Sequence, residues 1–173
     1  MSDKIRIKNA LISVFDKNGL EEIVKQLSDF NIDLYSTGGT EKFIKDLDIK
    51  VNKIEDLTTY PSILGGRVKT LHPNVFGGIL ARRDNTQDQE QLKKYDIPEF
   101  DLVIVDLYPF EETVKNNSIH QEIIEKIDIG GISLIRAGAK NYKDVLVVSQ
   151  KKQYTELLEI LKNNGPYSNE AKR

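Results

Sequence analysis

The chain has 173 residues, of which 39% are hydrophobic and 30% charged, with a net charge of −2 and a pI near 5.8. This length fits one globular domain, and the balanced charge excludes a general nucleic-acid-binding surface. The lack of cysteine excludes disulfides and thiolate chemistry, and no apolar run approaches the roughly 20 residues of a membrane span. We therefore expect a cytoplasmic protein, and the two distant histidines, His72 and His120, make a poor metal site.

Short apolar runs alternate with amphipathic segments along the whole chain. Because each run is bounded by polar or turn residues, strands are predicted at Asn9–Val14, Ile32–Ser36, Asp101–Tyr108 and Asp144–Ser149, with a weaker one at Ile49–Ile54. Helices are predicted at Gly19–Phe30, Thr40–Leu47, Asn85–Tyr95, Ile119–Ile127, Gly131–Tyr142 and Gln150–Asn163. This alternation favours an α/β fold with a parallel sheet covered on both faces.

The C-terminal segment "KNNGPYSNEAKR" is polar and contains a Gly-Pro pair that stops a helix. We therefore expect one domain over residues 1–160. Residues 161–173 are expected to form a C-terminal tail or a truncated linker.

Two segments that follow predicted strands are suited to binding a phosphate. In "STGGT", Ser36–Thr40, glycines allow close backbone approach and hydroxyls can donate to an anion at a helix N-terminus. An ordinary capped turn explains this segment equally well, but Lys17 after the preceding strand favours the phosphate. Neither a Walker P-loop nor a GxGxxG motif is present.

The segment "LGGRVKTLHPNVFGG" concentrates hydrogen-bond donors without an acid. No Asp or Glu occurs between Asp56 and Asp84, which predicts that an anionic ligand lies against Arg67 and Lys69. His72 precedes a proline, and we expect it to organise the loop rather than contact the ligand.

Two further segments carry polar groups near predicted strand ends or helix starts. In "DLYPF", Tyr108 either faces a site or places its ring in the core at the sheet rim. In "IDIGGISLIRAGAKNY", Asp128 precedes a helix on which Arg136 and Lys140 share a face. The apolar neighbours in that helix favour partial burial of Lys140, which would suit it to proton transfer.

Seven collinear segments between about Asn9 and Gln150 together resemble one known family. They are "SVFDKNGL", "STGGT", "LGGRVKTLHP", "GGILARR", "DLVIVDLYPF", "IDIGG" and "RAGAKNY". The chain is similar to the IMP cyclohydrolase domain, the N-terminal domain of bifunctional purine-biosynthesis enzymes. The resemblance implies a methylglyoxal-synthase-like three-layer fold, a homodimer, and ring closure of 5-formamidoimidazole-4-carboxamide ribonucleotide to IMP. It implies no cofactor.

The resemblance also assigns site residues. It implies that the reacting groups are surrounded by Lys69, Tyr108, Asp128 and Lys140, with Lys69 stabilising the oxyanion and Lys140 shuttling protons. It implies that the ribonucleotide is bound by Asp16, Lys17, Thr37, Gly38, Gly39, Thr40, Arg67, Val68, Thr70, Val105, Asp106 and Ile129.

Three positions depart from the pattern of this family. Phe15 stands where the family usually has Ser, Asp106 where it usually has Asn, and Gly138 where Ala is common. An ionised Asp106 accepts hydrogen bonds but cannot donate one, and Gly138 is expected to loosen its helix slightly. The family also implies a fused formyltransferase domain, and we expect no formyl transfer from this chain alone.

Two alternatives share the implied fold. A non-catalytic regulatory module would bind a nucleotide or phosphate without the proton-transfer groups, and the joint occurrence of Lys69, Tyr108, Asp128 and Lys140 argues against it. A methylglyoxal synthase would need aspartates beside the phosphate loop, where this chain has no acid until Glu41.

Overall fold

The computed structural model describes residues 4–116 and 119–169. Its strands are β1 (Lys4–Arg6), β2 (Asn9–Val14), β3 (Asp33–Ser36), β4 (Asn52–Lys53), β5 (Leu102–Asp106), β6 (Leu146–Val148) and β7 (Tyr167–Asn169). Five of them form a parallel sheet in the spatial order β4-β3-β2-β5-β6. The four predicted strands and the weaker fifth are therefore confirmed, although most are shorter than expected.

Helices cover both faces of this sheet. They are α1 (Leu20–Asp29), α2 (Gly38–Asp46), α3 (Ile54–Thr58), α4 (Pro73–Leu80), α5 (Thr86–Lys94), α6 (Phe110–Lys115), α7 (His120–Glu125), α8 (Gly130–Lys140) and α9 (Tyr154–Asn164). Short 3-10 turns at Leu64–Gly66 and Lys151–Gln153 complete the pattern.

The sheet separates two hydrophobic cores because successive strand residues point to opposite faces. Ala10 and Ile12 of β2 pack with α1 and α9, whereas Leu11, between them, packs with α4 and α8. In β5, Ile104 joins the first core and Val103 the second. This arrangement confirms the predicted three-layer α/β class.

Three helices, α3, α4 and α6, lie in segments without a predicted element. Helix α4 begins inside the acid-free segment, with Pro73 at its first position and His72 as its N-cap. The His72 Nδ1 accepts the backbone N–H of Asn74 at 3.1 Å. His72 thus organises the local chain as expected, by satisfying a donor that the first helical turn leaves unpaired.

The C-terminal segment is folded with the rest of the domain. Helix α9 continues to Asn164, and β7 then pairs antiparallel with β1, placing Ile5 opposite Ser168. The expected boundary at residue 160 therefore lies inside a helix, and residues 161–169 belong to the domain. Residues 170–173 of the expected tail lie outside the described residues.

Gly138 lets α8 approach β6 closely. A methyl group at this position would lie 2.4 Å from Cγ2 of Val147, a distance that real contacts do not reach. The expectation that Gly138 merely loosens its helix is therefore incomplete, since the glycine is also required for packing against the sheet.

Candidate active site

The carboxyl ends of the parallel strands open into a pocket of about 490 Å³. Open parallel sheets bind ligands at this edge, and the volume suits a small molecule. The walls come from the ends of β2 and β5, the first turns of α2 and α8, and residues 65–70 and 124–129. The predicted site residues among them are Lys17, Thr37, Gly39, Thr40, Arg67, Lys69, Thr70, Asp106, Tyr108, Asp128 and Ile129.

The N-terminus of α2 faces two lysines. A methyl group added to Gly38 would lie 3.2 Å from the Lys69 Nζ, and one added to Gly39 would lie 3.8 Å from the Lys17 Nζ. Gly38 also has a φ of 57°, which favours glycine. Because the first N–H groups of a helix have no intrahelical partner, this end of α2 suits an anion, and both ammonium groups add positive charge beside it.

The hydroxyls of the "STGGT" segment bind protein acceptors. Ser36 donates to a carbonyl of β2 at 2.7 Å, and Thr37 donates to Glu55 at 2.6 Å. Buried Thr40 donates to the Val14 carbonyl at 3.0 Å and accepts the Val14 N–H at 3.2 Å. Without a ligand these hydroxyls are thus paired within the protein, and the backbone amides are the unpaired donors that the first turn of α2 offers.

The two lysines differ in their partners. The Lys17 Nζ donates to the carbonyls of Val14 and Phe15, both at 2.8 Å. Burial lowers the pKa of Lys17; the charge of Asp106 opposes this shift and that of Lys69 adds to it. Within the described part of the chain, the Lys69 ammonium has no hydrogen bond or ion pair. Lys69 is therefore the cation available to a ligand.

A glycine pair brings two polar side chains to the start of α8. The Gly131 N–H donates to the Asp128 carboxylate at 2.6 Å, and a methyl group on Gly131 would lie 2.8 Å from that carboxylate and from Leu107. A methyl group on Gly130 would lie 3.1 Å from the Thr70 hydroxyl. The glycines thus allow Asp128 and Thr70 to reach the pocket.

Arg67 is paired with an acid from a distant segment. Its guanidinium donates to the Glu125 carboxylate at the end of α7, across the pocket. The charge imbalance between Asp56 and Asp84 is therefore partly compensated within the fold, by a residue that the local sequence does not reveal. The positive charge of Lys69, by contrast, is not paired with an acid among the described residues, as the lack of acids in this segment predicted.

Tyr108 and Asp106 follow the end of β5. The Tyr108 ring lines the pocket and is 41% exposed, so the alternative placement in the core is wrong. The Asp106 carboxylate accepts the backbone N–H of Asp16 at 2.9 Å. Asp106 thereby joins the ends of β2 and β5 in addition to lining the pocket.

The pocket wall lacks five predicted site residues: Asp16, Gly38, Val68, Val105 and Lys140. Asp16 pairs with Lys151 at 2.9 Å, Val105 is buried in β5, and Val68 bridges to Ile63. Lys140 is exposed in the last turn of α8, whereas the first turn lines the pocket. An 11-residue helix is roughly 16 Å long, so a single chain does not bring Lys140 to the other predicted catalytic groups.

Three contributors were missed as site residues. Glu55 orients Thr37, Glu125 pairs with Arg67, and Lys126 lies over two aromatic rings at the pocket. Phe15 was noticed only as a departure from the family pattern, yet it lines the pocket. No local motif marks these positions, because each acts on a residue distant in sequence.

Two general findings concern residues 4–116 and 119–169. None of the helices there is long and apolar enough to cross a membrane. No group of three or more His, Cys, Asp or Glu side chains in the same ranges is placed to hold a metal ion.

Comparisons with known proteins agree with this architecture. The MGS-like domain family matches residues 19–133. The chain is 58% identical over 173 residues to the bifunctional purine biosynthesis protein PurH of Bacteroides thetaiotaomicron, and 49% identical over 158 residues to PurH of Clostridium perfringens. These matches cover 100% and 91% of this chain, which spans about a third of the length of those relatives.

A solved structure supports the same assignment. The crystal structure of ForH superimposes with a TM-score of 0.76 at 33% identity, covering 91% of this chain and 80% of that one. The PurH relatives confirm the resemblance that the motifs indicated. The chain therefore belongs to the MGS-like domain family.

Proposed function

We propose that this chain is an IMP cyclohydrolase, which closes 5-formamidoimidazole-4-carboxamide ribonucleotide to IMP with loss of water. The observation that carries the proposal is the unpaired Lys69 ammonium, beside the N-terminus of α2 and in one pocket with Tyr108 and Asp128. The likeness to bifunctional purine biosynthesis proteins supports the same reaction.

The phosphate of the ribonucleotide is assigned to the N-terminus of α2. The free amides of its first turn and the Lys17 ammonium form a site for a dianion, since helix N-termini favour negative charge. When phosphate binds, Lys17 exchanges its two carbonyl acceptors for phosphate oxygens. Lys17 thus contributes mainly to binding.

The reacting groups are assigned to the part of the pocket that holds Lys69. The carboxamide nitrogen attacks the formyl carbon, a C–N bond forms, and negative charge develops on the formyl oxygen. An ammonium already in place stabilises that charge without reorganisation, typically by about 3–4 kcal/mol for a single donor. The carboxamide nitrogen gives up one proton and the oxyanion takes one up, which yields a carbinolamine. Its hydroxyl then leaves as water with the proton of the formamide nitrogen while a C=N bond forms, so the step is balanced without oxidant or reductant.

Proton transfer is assigned to three groups: Tyr108 and Asp128, which line the pocket, and Lys140, which does not. Tyr108 and Asp128 are in place within one chain. Lys140 is not, so its proposed role requires that a second copy of the chain presents it, which the proposed homodimer allows.

Turnover tests the proposal directly. The chain is incubated with the formylated ribonucleotide, and IMP is followed by absorbance with no cofactor or folate added. We expect Lys69→Ala to lower kcat by about a hundred- to a thousand-fold and Lys17→Ala mainly to raise KM. Exposed Lys25→Ala, on α1, is the matched control and should behave as wild type. Equal effects of both pocket variants on KM alone would contradict these roles.

Complementation tests the role of Lys140. Lys69→Ala and Lys140→Ala are each expected to be inactive, whereas an equilibrated equal mixture should regain about a quarter of wild-type activity. Half of the dimers would then be mixed, and each mixed dimer would have one complete site. No recovery would contradict the presentation of Lys140 by a second copy.

The position of Lys140 in the single chain also favours a second candidate, a regulatory module that binds the nucleotide without converting it. Tight binding of IMP without turnover of the formylated substrate would support that module. The proposal also implies that this chain alone transfers no formyl group, which a folate-dependent assay would check.

A further inference from the structure

Two aromatic rings, Phe15 and Tyr108, line one wall of the pocket, and the ammonium group of Lys126 lies over both of them. The rings of Phe15 and Tyr108 meet edge to face, with centroids 5.3 Å apart and an interplanar angle of 67°. The Lys126 Nζ lies 5.2 Å from the Phe15 centroid and 5.4 Å from that of Tyr108. A cation at such distances is attracted by both rings, which orients the three side chains together.

The sheet places this wall at the pocket. Strands β2 and β5 are adjacent and parallel, with Val14 opposite Asp106, and the Phe15 N–H continues the pairing by donating to the Asp106 carbonyl at 3.2 Å. The chain beyond the two strands therefore carries Phe15 and Tyr108 to the same edge. Lys126 follows the last residue of α7, which brings its ammonium group over both rings.

Both rings remain accessible from the pocket. Phe15 is 42% and Tyr108 41% exposed, and both line the cavity together with the lysines of the anion site. Exposed aromatic rings in this pocket are suited to a flat ligand group, since planar heterocycles stack on aromatic rings. The anion site binds charge but offers no surface of this kind.

We infer that Phe15, Tyr108 and Lys126 form the surface against which the planar base of the nucleotide packs, with Phe15 as the specificity-determining member. The inference rests on the proposed function for the identity of the ligand. Phe15 selects ligands that carry a base over sugar phosphates that lack one. Its backbone carbonyl also accepts from Lys17, so the base wall and the phosphate site meet at this residue.

The test compares a ligand with a base and one without. Calorimetric Kd values are measured for IMP and for ribose 5-phosphate. Phe15→Ser is expected to weaken IMP about ten-fold and ribose 5-phosphate by less than about two-fold. Phe15→Tyr keeps the ring and should retain IMP affinity, whereas Lys17→Ala should weaken both ligands.

The outcomes separate this inference from the proposed function. A wild type that binds neither ligand would refute the proposed function, together with the ligand named here. A wild type that binds both, with Phe15→Ser weakening both equally or neither, would overturn the inference alone. The oligomeric state of Phe15→Ser is measured in parallel, and a change would also overturn the inference because the ring would then be an interface residue.

Discussion

Gly131 holds the Asp128 carboxylate in the pocket, and Gly131→Ala tests how strictly the site depends on that position. The new methyl group would lie 2.8 and 2.9 Å from the two carboxylate oxygens and 2.8 Å from the Leu107 Cδ2. These distances are below any relaxed contact, so the Asp128 side chain must rotate away and lose the 2.6 Å hydrogen bond from Gly131.

The magnitude follows from the lost hydrogen bond. A hydrogen bond to a charged group contributes about 1.5–3 kcal/mol, and in the proposed mechanism its loss removes Asp128 from the reacting groups. We expect kcat to fall by about ten- to a hundred-fold. Binding of ribose 5-phosphate should change by less than about two-fold, because Lys17 and the N-terminus of α2 stay in place. The free energy of unfolding should fall by about 0.5–2 kcal/mol, since the helix propensity of alanine, about 1 kcal/mol, offsets only part of the lost hydrogen bond.

The assay measures kcat for ring closure and the Kd for ribose 5-phosphate in the same preparations. Gly77→Ala is the matched control, because Gly77 lies outside the pocket lining and its methyl group would meet only the Ile97 side chain, at 3.3 Å. Wild-type kcat in Gly131→Ala, or an equal loss in Gly77→Ala, would refute the reasoning.

Three further predictions concern the anion site and the packing around it. Burial holds the pKa of Lys17 below its ordinary value of 10.5, so the charge of Lys17 is lost as the pH rises through that lowered pKa. The affinity for ribose 5-phosphate, measured by calorimetry from pH 7 upward, should therefore fall at a lower pH than an ordinary lysine would cause. An unchanged affinity up to pH 10.5 would contradict this. Gly138→Ala should lower the free energy of unfolding, measured in urea, by about 1–3 kcal/mol despite the higher helix propensity of alanine, because the new methyl group would clash with Val147. When Val147→Ala is also present, Gly138→Ala should cost less, and additive losses would contradict the clash. Thr40→Val should cost about 1–3 kcal/mol of unfolding free energy because it leaves the buried N–H of Val14 without its partner, although the Val14 carbonyl keeps its bond from Lys17. Thr40→Ser should retain most of the stability, and equal losses would show that the hydroxyl is not responsible.

The main strands and the amphipathic helices are local properties, and the sequence predicts them well. Continuous apolar runs such as Asn9–Val14 can only be buried on both faces, and the alternation with helices then implies a parallel sheet. Helix α4 was missed because its sequence "PNVFGGIL" contains two glycines. Its close packing favours Gly78, where a methyl group would lie 2.2 Å from the Pro98 carbonyl.

The pocket brings together Lys17, Lys69 and Asp128, which the sequence had grouped. Lys17 follows β2 and Asp128 precedes α8, and the carboxyl ends of parallel strands share one edge of a sheet, so position in the chain implies their proximity. The hydroxyls of the phosphate loop are paired within the protein for a physical reason. A buried hydroxyl such as that of Thr40 must find a partner in the folded chain, and β2 supplies one before any ligand is present.

The sequence by itself determined the layered α/β architecture, the glycine-rich start of α2 and the surplus of positive charge at Lys69, because these depend on periodicity, glycine placement and local charge. Only the tertiary structure decided that Glu125 pairs with Arg67 and that Phe15 meets Tyr108. It also decided that Lys140 lies in the last turn of α8, whereas the first turn lines the pocket. These three outcomes depend on how distant elements pack, and the length and direction of α8 are what separate Lys140 from the strand ends.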